Sequence, residues 1–189
     1  PDETACAGAA LAVDRQKFLE LDGFDALYLP GRLEDLDFAF RGYMAGWKAR
    51  YVPESVAYHR GMATFAAELG RRKCDNLALR NTLLFQWKNL LHPRHRLRQF
   101  LSLPLRAMRD LLRAPLVNQD HRFAFLKAWR AARKRAGAMP IRCAAATPER
   151  LAAEWNFFQR FHPRRMRQLA QSVNPLAPVT PNQGMPPAV

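Results

Sequence analysis

The sequence has few cysteines and no long apolar run, and both absences exclude classes of protein. Its three cysteines, Cys6, Cys74 and Cys143, are widely spaced and odd in number. This pattern predicts neither a disulfide framework nor a metal site of paired cysteines. Nowhere do about 18 consecutive apolar residues occur, which argues against a membrane-spanning helix. We therefore expect a reducing, cytoplasmic setting, with any membrane contact made at the surface.

Acidic residues are scarce in the second half of the chain. Residues 71–189 hold 23 Lys and Arg against 5 Asp and Glu, a net charge of +18, whereas residues 1–70 hold 7 against 11, a net charge of −4. The total of +14 therefore hides two regions of opposite character. This division predicts acid chemistry in the first region and a basic surface in the second.

The start of the chain does not have the pattern of a signal peptide. It opens with Pro1, and the small and apolar residues 5–13 follow no basic segment. A length of 189 residues with 49% hydrophobic content is enough for one domain with appendages. We expect the chain to be part of a longer protein.

Apolar periodicity in the first half predicts alternating strands and helices. Residues 9–13 and 47–52 are short apolar runs typical of strands. A helix is predicted to begin near Glu34 and to end at Gly46, and residues 56–58 are predicted as an extended piece leading to His59. We therefore predict an α/β fold over residues 1–91, with a longer helix at about 68–91.

The second half is predicted to be a helical extension. Residues 92–172 contain an apolar stripe crowded by arginines, a second basic segment at 122–135, and a third helical candidate at 148–172. Pro104 is expected to kink the first of these helices. Residues 173–189 are rich in Pro and are predicted to be a disordered tail.

Three carboxylates lie close together where the second helix is predicted to begin. Glu34, Asp35 and Asp37 lie within four successive positions, and Asp37 is four residues before Arg41, the spacing of a helical ion pair. Exposed N–H groups and the helix dipole stabilise anions there. Such acids can be ordinary surface charges at a helix N-terminus, or they can supply a general base or bind a hard cation.

His59 follows the predicted extended piece and is open to two interpretations. A single histidine after an apolar strand is more often a hydrogen-bonded structural residue than a ligand or a base. Its neighbours Arg60, Gly61 and Thr64 are typical of a polar loop rather than a sealed core.

Taken in order, these segments resemble the second half of the catalytic domain of family 2 glycosyltransferases, which has the GT-A fold. The resemblance covers residues 5–91 and rests on Gly8-Ala9-Ala10-Leu11-Ala12-Val13, Gly23-Phe24-Asp25, Leu33-Glu34-Asp35-Leu36-Asp37 with Arg41, Gly46, Tyr51-Val52-Pro53 and His59-Arg60-Gly61. It implies the C-terminal part of a Rossmann-like α/β domain. The first half of that domain, with its nucleotide-binding strands and DxD metal motif, does not occur in these residues.

The resemblance also implies an activity and its residues. It identifies Asp35 as the catalytic base, with Glu34 beside it, in an inverting transfer of a sugar from a nucleotide-sugar donor to an acceptor hydroxyl. His59 corresponds to a metal ligand in some members, which implies a divalent cation, Mn²⁺ or Mg²⁺. Asp37 and Arg41 are expected to support the site. The expected acceptor is a glycan or lipid-linked molecule of the bacterial envelope.

The basic half has three interpretations. Apolar stripes flanked by arginines are typical of helices that lie on an anionic membrane, here the inner face of the plasma membrane. The same stripes can simply pack against the catalytic domain. A basic nucleic-acid-binding module, or a non-catalytic module associated with the membrane, is the alternative function. We expect no specific nucleic acid, because Phe100, Phe123, Phe125 and Trp129 lie within apolar stripes.

Overall fold

The structure is a computed structural model that describes residues 3–5, 8, 10–52, 54–58, 67–117 and 122–162. The helices are α1 (Arg15–Glu20), α2 (Glu34–Met44), α3 (Arg71–Asn89), α4 (Pro93–Arg113), α5 (Ala124–Ala138) and α6 (Pro148–Arg160). Two single turns of 3-10 helix occur at Ala26–Tyr28 and Ala114–Leu116.

The predicted α/β fold is wrong, and so is the Rossmann-like domain that the resemblance implied. The described residues are mostly helical and form no strand or sheet. Their β pairing is a single isolated bridge between Glu3 and Arg50. A strand is stabilised by a ladder of hydrogen bonds to a neighbouring strand. In the described residues the segment 47–52 has only the bridge at Arg50, and the segment 10–13 has none. Apolar side chains that a sheet would cover, such as Val13 and Val52, are exposed.

The helices were predicted better than the strands, because they depend on local signals. α2 begins at Glu34 as expected, and α3 lies within the predicted range 68–91. The turn into α2 places Arg32 and Leu33 in the left-handed region, with φ of 78° and 70°. α4 runs without interruption through Pro104. α6 begins at Pro148 as predicted, and the remainder of the predicted range, 163–172, lies outside the described residues, as does the predicted tail.

One hydrophobic core joins the two halves of the chain. Its buried members are Leu27, Tyr28, Phe40, Leu83, Leu84, Phe85, Ala132 and Phe157. The Phe40 ring of α2 lies edge-on to Phe85 of α3, with centroids 5.5 Å apart, and to Phe157 of α6, at 5.0 Å. The small buried residues Ala128 and Ala132 let α5 pack closely against α3. Helices of the basic half therefore form part of the core around α2.

α4 is the helix with the most exposed apolar surface. Seven large apolar side chains on it are between 53% and 71% exposed: Leu97, Phe100, Leu101, Leu105, Met108, Leu111 and Leu112. Within the part of the chain that the structure describes, no helix combines the length and apolar character needed to cross a membrane.

Candidate functional site

The loop before α2 is held by side chains from two other helices. Asn81 of α3 is fully buried, and its Nδ2 donates to the backbone oxygens of Tyr28, Gly31 and Arg32 at 3.0, 2.8 and 2.7 Å. Three bonds from one amide nitrogen with two hydrogens make a shared arrangement rather than three full-strength bonds. The result is a loop whose backbone is anchored directly before Glu34.

Two arginines bind three further carbonyls of the same loop. Arg80 Nη2 of α3 donates to Leu29 O at 2.7 Å, and Arg135 of α5 donates to Leu27 O and Ala26 O. Partial burial, together with the nearby charge of Arg135, lowers the pKa of Arg80. The two cations lie near each other because the carbonyls of residues 26–32 provide partial negative charge. The basic half of the chain thus helps to position the acidic half.

Asp37 is the centre of a buried polar network. Its carboxylate is fully buried and accepts hydrogen bonds from Tyr28 Oη, Arg41 Nε, Lys88 Nζ and Asn89 Nδ2, at 2.8 to 2.9 Å. The ion pair predicted from the i, i+4 spacing of Asp37 and Arg41 is confirmed. With four donor groups around two oxygens, Asp37 has its acceptor capacity filled inside the protein. Asp37 is therefore a structural support for α2.

Burial next to this carboxylate raises the pKa of the Tyr28 hydroxyl. Ionised Tyr28 would place a second negative charge in a low-dielectric site against Asp37. The hydroxyl therefore stays protonated and acts as a hydrogen-bond donor.

A second carboxylate, Asp25, completes the charge balance. Lys88 Nζ lies 2.7 Å from Asp25 Oδ2 as well as 2.8 Å from Asp37 Oδ2. Partial burial by itself would raise the pKa of Asp25. The hydrogen bonds from Lys88 and the Leu27 N–H, with the charges of Lys88 and Arg41, outweigh that effect, so the pKa lies below its ordinary value. Two carboxylates and two cations therefore neutralise one another.

Arg41 connects this network to the loop after α1. Its Nη2 donates to Gly23 O at 2.6 Å, and its Nη1 donates to Leu21 O. One guanidinium thus joins the start of α2 to the Gly23-Phe24-Asp25 segment. Arg41 was predicted as a supporting residue of the site, and its observed contacts are with Asp37 and these two carbonyls.

Glu34 and Asp35 stand outside the network, at the first turn of α2. Both are only partly buried. Asp35 Oδ1 accepts from the Leu36 N–H at 2.7 Å. Its Oδ2 lies so close to Gly8 that a Cβ added there would be 2.5 Å away, so a larger residue at position 8 would displace the Asp35 carboxylate. Within the described residues, Glu34 Oε2 is buried without a hydrogen-bond partner. These two carboxylates therefore do not share the donor groups that hold Asp37.

The predicted metal ligand His59 lies outside the described residues. Across the described ranges, His, Cys, Asp and Glu form no group of three or more that could hold a metal ion. The described residues therefore provide no donor set for a divalent cation, and the metal site remains a prediction that depends on His59.

The residues that hold α2 in place are not evident from the sequence. Periodicity predicts for Asn81, Lys88 and Asn89 only that they belong to a long helix. A signal was present, since Lys88 and Asn89 follow the apolar run Leu83-Leu84-Phe85, and polar residues on the buried face of a helix need partners. What the sequence did not show is that those partners are Asp25, Tyr28 and Asp37, about 50 to 60 residues away.

A cavity of about 870 Å³ lies beside the network. Asp25, Arg41 and Lys88 line it from the network side, and Met139 and Arg142 line it from the segment after α5. Glu34 and Asp35 are not part of its lining. The acids predicted to be catalytic therefore face a different part of the surface.

Comparisons with known proteins add no assignment to this geometry. No protein-family model matches the sequence, and neither the curated proteins nor the solved structures include a significant match to the chain.

Proposed function

We propose that this chain contributes the acid site of an inverting glycosyltransferase, with Asp35 as the base. The observation that carries the proposal is the contrast between the carboxylates of α2. Asp37 is buried and receives four donor groups, whereas Asp35 and Glu34 are only partly buried and lie outside that set of donors. A protein that needs one acid for structure and one for chemistry separates them in this way.

The position of Asp35 supports the role of a base. Asp35 lies in the first turn of α2, and its Oδ1 accepts a hydrogen bond from the Leu36 N–H at 2.7 Å. A carboxylate that is ionised at neutral pH can accept a proton from a hydroxyl within hydrogen-bond reach. The anchored loop of residues 26–32 restricts movement of this turn, which meets the requirement for a positioned catalytic group.

The reaction proposed for this site is a single displacement. Asp35 takes the proton of the acceptor hydroxyl while that oxygen attacks the anomeric carbon of the sugar. The bond between the anomeric carbon and the diphosphate oxygen breaks, and the nucleoside diphosphate leaves with the electron pair. Attack and departure occur on opposite faces, so the configuration inverts. Glu34 is proposed to assist beside Asp35.

The partners of the proposal are a nucleotide-sugar donor and a glycan or lipid-linked acceptor, at the cytoplasmic face of the plasma membrane. A divalent cation, Mn²⁺ or Mg²⁺, would neutralise charge on the departing diphosphate. No step is derived through it, because the described residues supply no ligand cluster. The role of His59 is tested by titrating Mn²⁺ against the activity of His59→Ala, which should need more metal for half-maximal rate.

The test is release of nucleoside diphosphate by the full-length protein with a panel of UDP-, GDP- and dTDP-sugars. We expect Asp35→Asn to lower kcat by roughly 10² to 10⁴-fold, the usual contribution of a general base. Glu34→Gln should lower it less. Asp75→Asn, an exposed acid on α3, is the matched control and should behave as wild type. Wild-type turnover by Asp35→Asn would refute the assignment, and a larger loss in Glu34→Gln would move the base to Glu34.

A further inference from the structure

α4 is turned with its polar side toward the protein. On the inner side, His95 Nδ1 lies 2.6 Å from the buried Glu154 carboxylate of α6. Asp110 Oδ2 accepts from the backbone N–H of Leu126, at the start of α5, at 3.1 Å. Gln99 contacts Gln86 of α3, and Leu103 alone adds a leucine to the core cluster from this side. Few apolar groups of α4 therefore stabilise its packing against the protein.

The opposite side of α4 is an exposed apolar stripe. The residues Leu97, Leu101, Leu105, Met108 and Leu112 follow one another at intervals of three or four positions, so they lie on one face of the helix. Phe100 and Leu111 widen the stripe, and all seven are at least half exposed. An apolar patch of this length on a soluble surface marks an interaction site.

Arginines border the stripe and indicate what covers it. Viewed down the helix axis, Arg98 and Arg109 lie just beyond the edge of the stripe that Leu105 and Leu112 form. Arg106 lies further around the helix from that edge. All three side chains are exposed. An apolar face beside a row of cations matches a lipid interface, where acyl chains take up the leucines and anionic headgroups pair with the arginines.

We propose that α4 lies in the surface of an anionic lipid bilayer, with this stripe buried among the upper acyl groups. Charge complementarity favours this occupant over a second copy of the chain, because two copies would bring their arginine rows together. It is also favoured over a single-stranded nucleic acid, because Phe100 stands among leucines rather than in a basic groove suited to base stacking. The inference is independent of the proposed catalysis.

The experiment is sedimentation of the full chain with vesicles of phosphatidylcholine alone or with 30% phosphatidylglycerol. We expect binding to the anionic vesicles that weakens between about 0.05 and 0.5 M salt but persists, because screening acts on the arginines and not on the leucines. The double variant Leu105→Asn, Met108→Asn should bind at least about tenfold more weakly at both salt concentrations. The triple variant Arg98→Gln, Arg106→Gln, Arg109→Gln should lose roughly a hundredfold at low salt only.

Two controls keep the test decisive. The variant Arg130→Gln, Arg133→Gln, Lys134→Gln removes the same charge from exposed positions on α5 and should bind vesicles almost as wild type. The chain has four tryptophans of its own, so wild type gives the fluorescence baseline. Met108→Trp should show a larger blue shift on binding than wild type, which reports entry of this face into the lipid and does not depend on net charge.

The proposal is overturned if anionic vesicles are not bound at low salt, or if the leucine variant binds as wild type. It is also overturned if the α5 control loses as much binding as the α4 arginine variant. Two further results would assign the stripe to another occupant. One is a dimer that Leu105→Asn, Met108→Asn converts to monomer, and the other is a 20-nucleotide single strand that binds more tightly than vesicles through the same side chains.

Discussion

Asp37 and Lys88 form a buried ion pair across 51 positions of the chain, with Lys88 Nζ 2.8 Å from Asp37 Oδ2. Asp37 belongs to the first turn of α2, and Lys88 is the second-last residue of α3. Because Lys88 also binds Asp25, one ammonium group holds the loop after α1, the start of α2 and the end of α3 in a single arrangement.

Asp37→Asn should destabilise the protein strongly. The amide keeps the shape but removes the charge, so Lys88 and Arg41 are left in a largely buried site with only Asp25 opposite them. Breaking one side of a buried ion pair costs about 3 to 5 kcal/mol. The measurement is the free energy of unfolding in urea. Asp75→Asn on the exposed side of α3 is the control. A change of less than about 0.5 kcal/mol in Asp37→Asn would contradict the structural role, since that is the scatter of surface substitutions.

Asn81→Asp tests the anchoring of the loop. A carboxylate of the same shape would place acceptor oxygens against the carbonyls of Tyr28, Gly31 and Arg32, and these would lose their donor. Each buried polar group left unsatisfied costs about 1 to 3 kcal/mol, so a loss of about 3 kcal/mol or more is expected. Asn76→Asp, on the same helix and less buried, should be nearly neutral. Equal midpoints of thermal unfolding for the two variants would show that the loop does not depend on Asn81.

Gly8→Ala should affect activity more than stability. The new Cβ would lie 2.5 Å from Asp35 Oδ2, so the proposed base must move. Gly8 is not part of the hydrophobic core around Phe40, so the core packing is unchanged. We expect kcat to fall at least about tenfold, with the melting temperature little changed. Gly137→Ala is the matched control, because nothing lies within 4 Å of a Cβ there and alanine is the better helix former by about 0.5 to 1 kcal/mol. An active Gly8→Ala enzyme would show that Asp35 has freedom to move without loss of function.

Stability should fall in acid partly through Asp25. Its pKa is lowered from 3.8 in the folded protein, so the stabilisation is fully present above about pH 4 and is lost as pH falls through the lower, folded value. Asp25→Asn removes this contribution. The variant should be less stable than wild type at pH 7, and the difference should narrow below pH 4. The check is the free energy of unfolding measured from pH 2.5 to 7. A difference that is constant over that range would mean that Asp25 does not contribute through its charge.

Local signals in the sequence were enough for the helices and for the acid cluster. The carboxylates of residues 34–37 indicate where α2 begins, because acidic residues in the first turn favour a helix start through local interactions. The i, i+4 rule likewise indicated the pair of Asp37 and Arg41. The sequence pattern also showed the apolar stripe and the arginines of α4. It did not show whether the apolar stripe faces the protein or the surface.

The strands were predicted wrongly because a strand depends on a neighbour that periodicity does not reveal. Residues 10–13 and 47–52 have the composition of strands, yet the described residues provide no ladder for them. Prediction of the candidate site from the sequence is limited for the same reason, because its contacts come from distant segments. The sequence alone identifies Glu34, Asp35 and Asp37 as a group of acids at a helix start.

Side chains far along the chain decide which of these acids receives structural hydrogen bonds and which lies outside them. Lys88 and Asn89 donate hydrogen bonds to the Asp37 carboxylate, and Asn81 anchors the loop that leads to Glu34 and Asp35. These contacts join residues about 50 positions apart, so only the packing of α3 against α2 and the loop determines them. The outward direction of the α4 leucines has the same origin. Periodicity defines a face of a helix, and the tertiary contacts of His95 and Asp110 decide that the polar face turns inward.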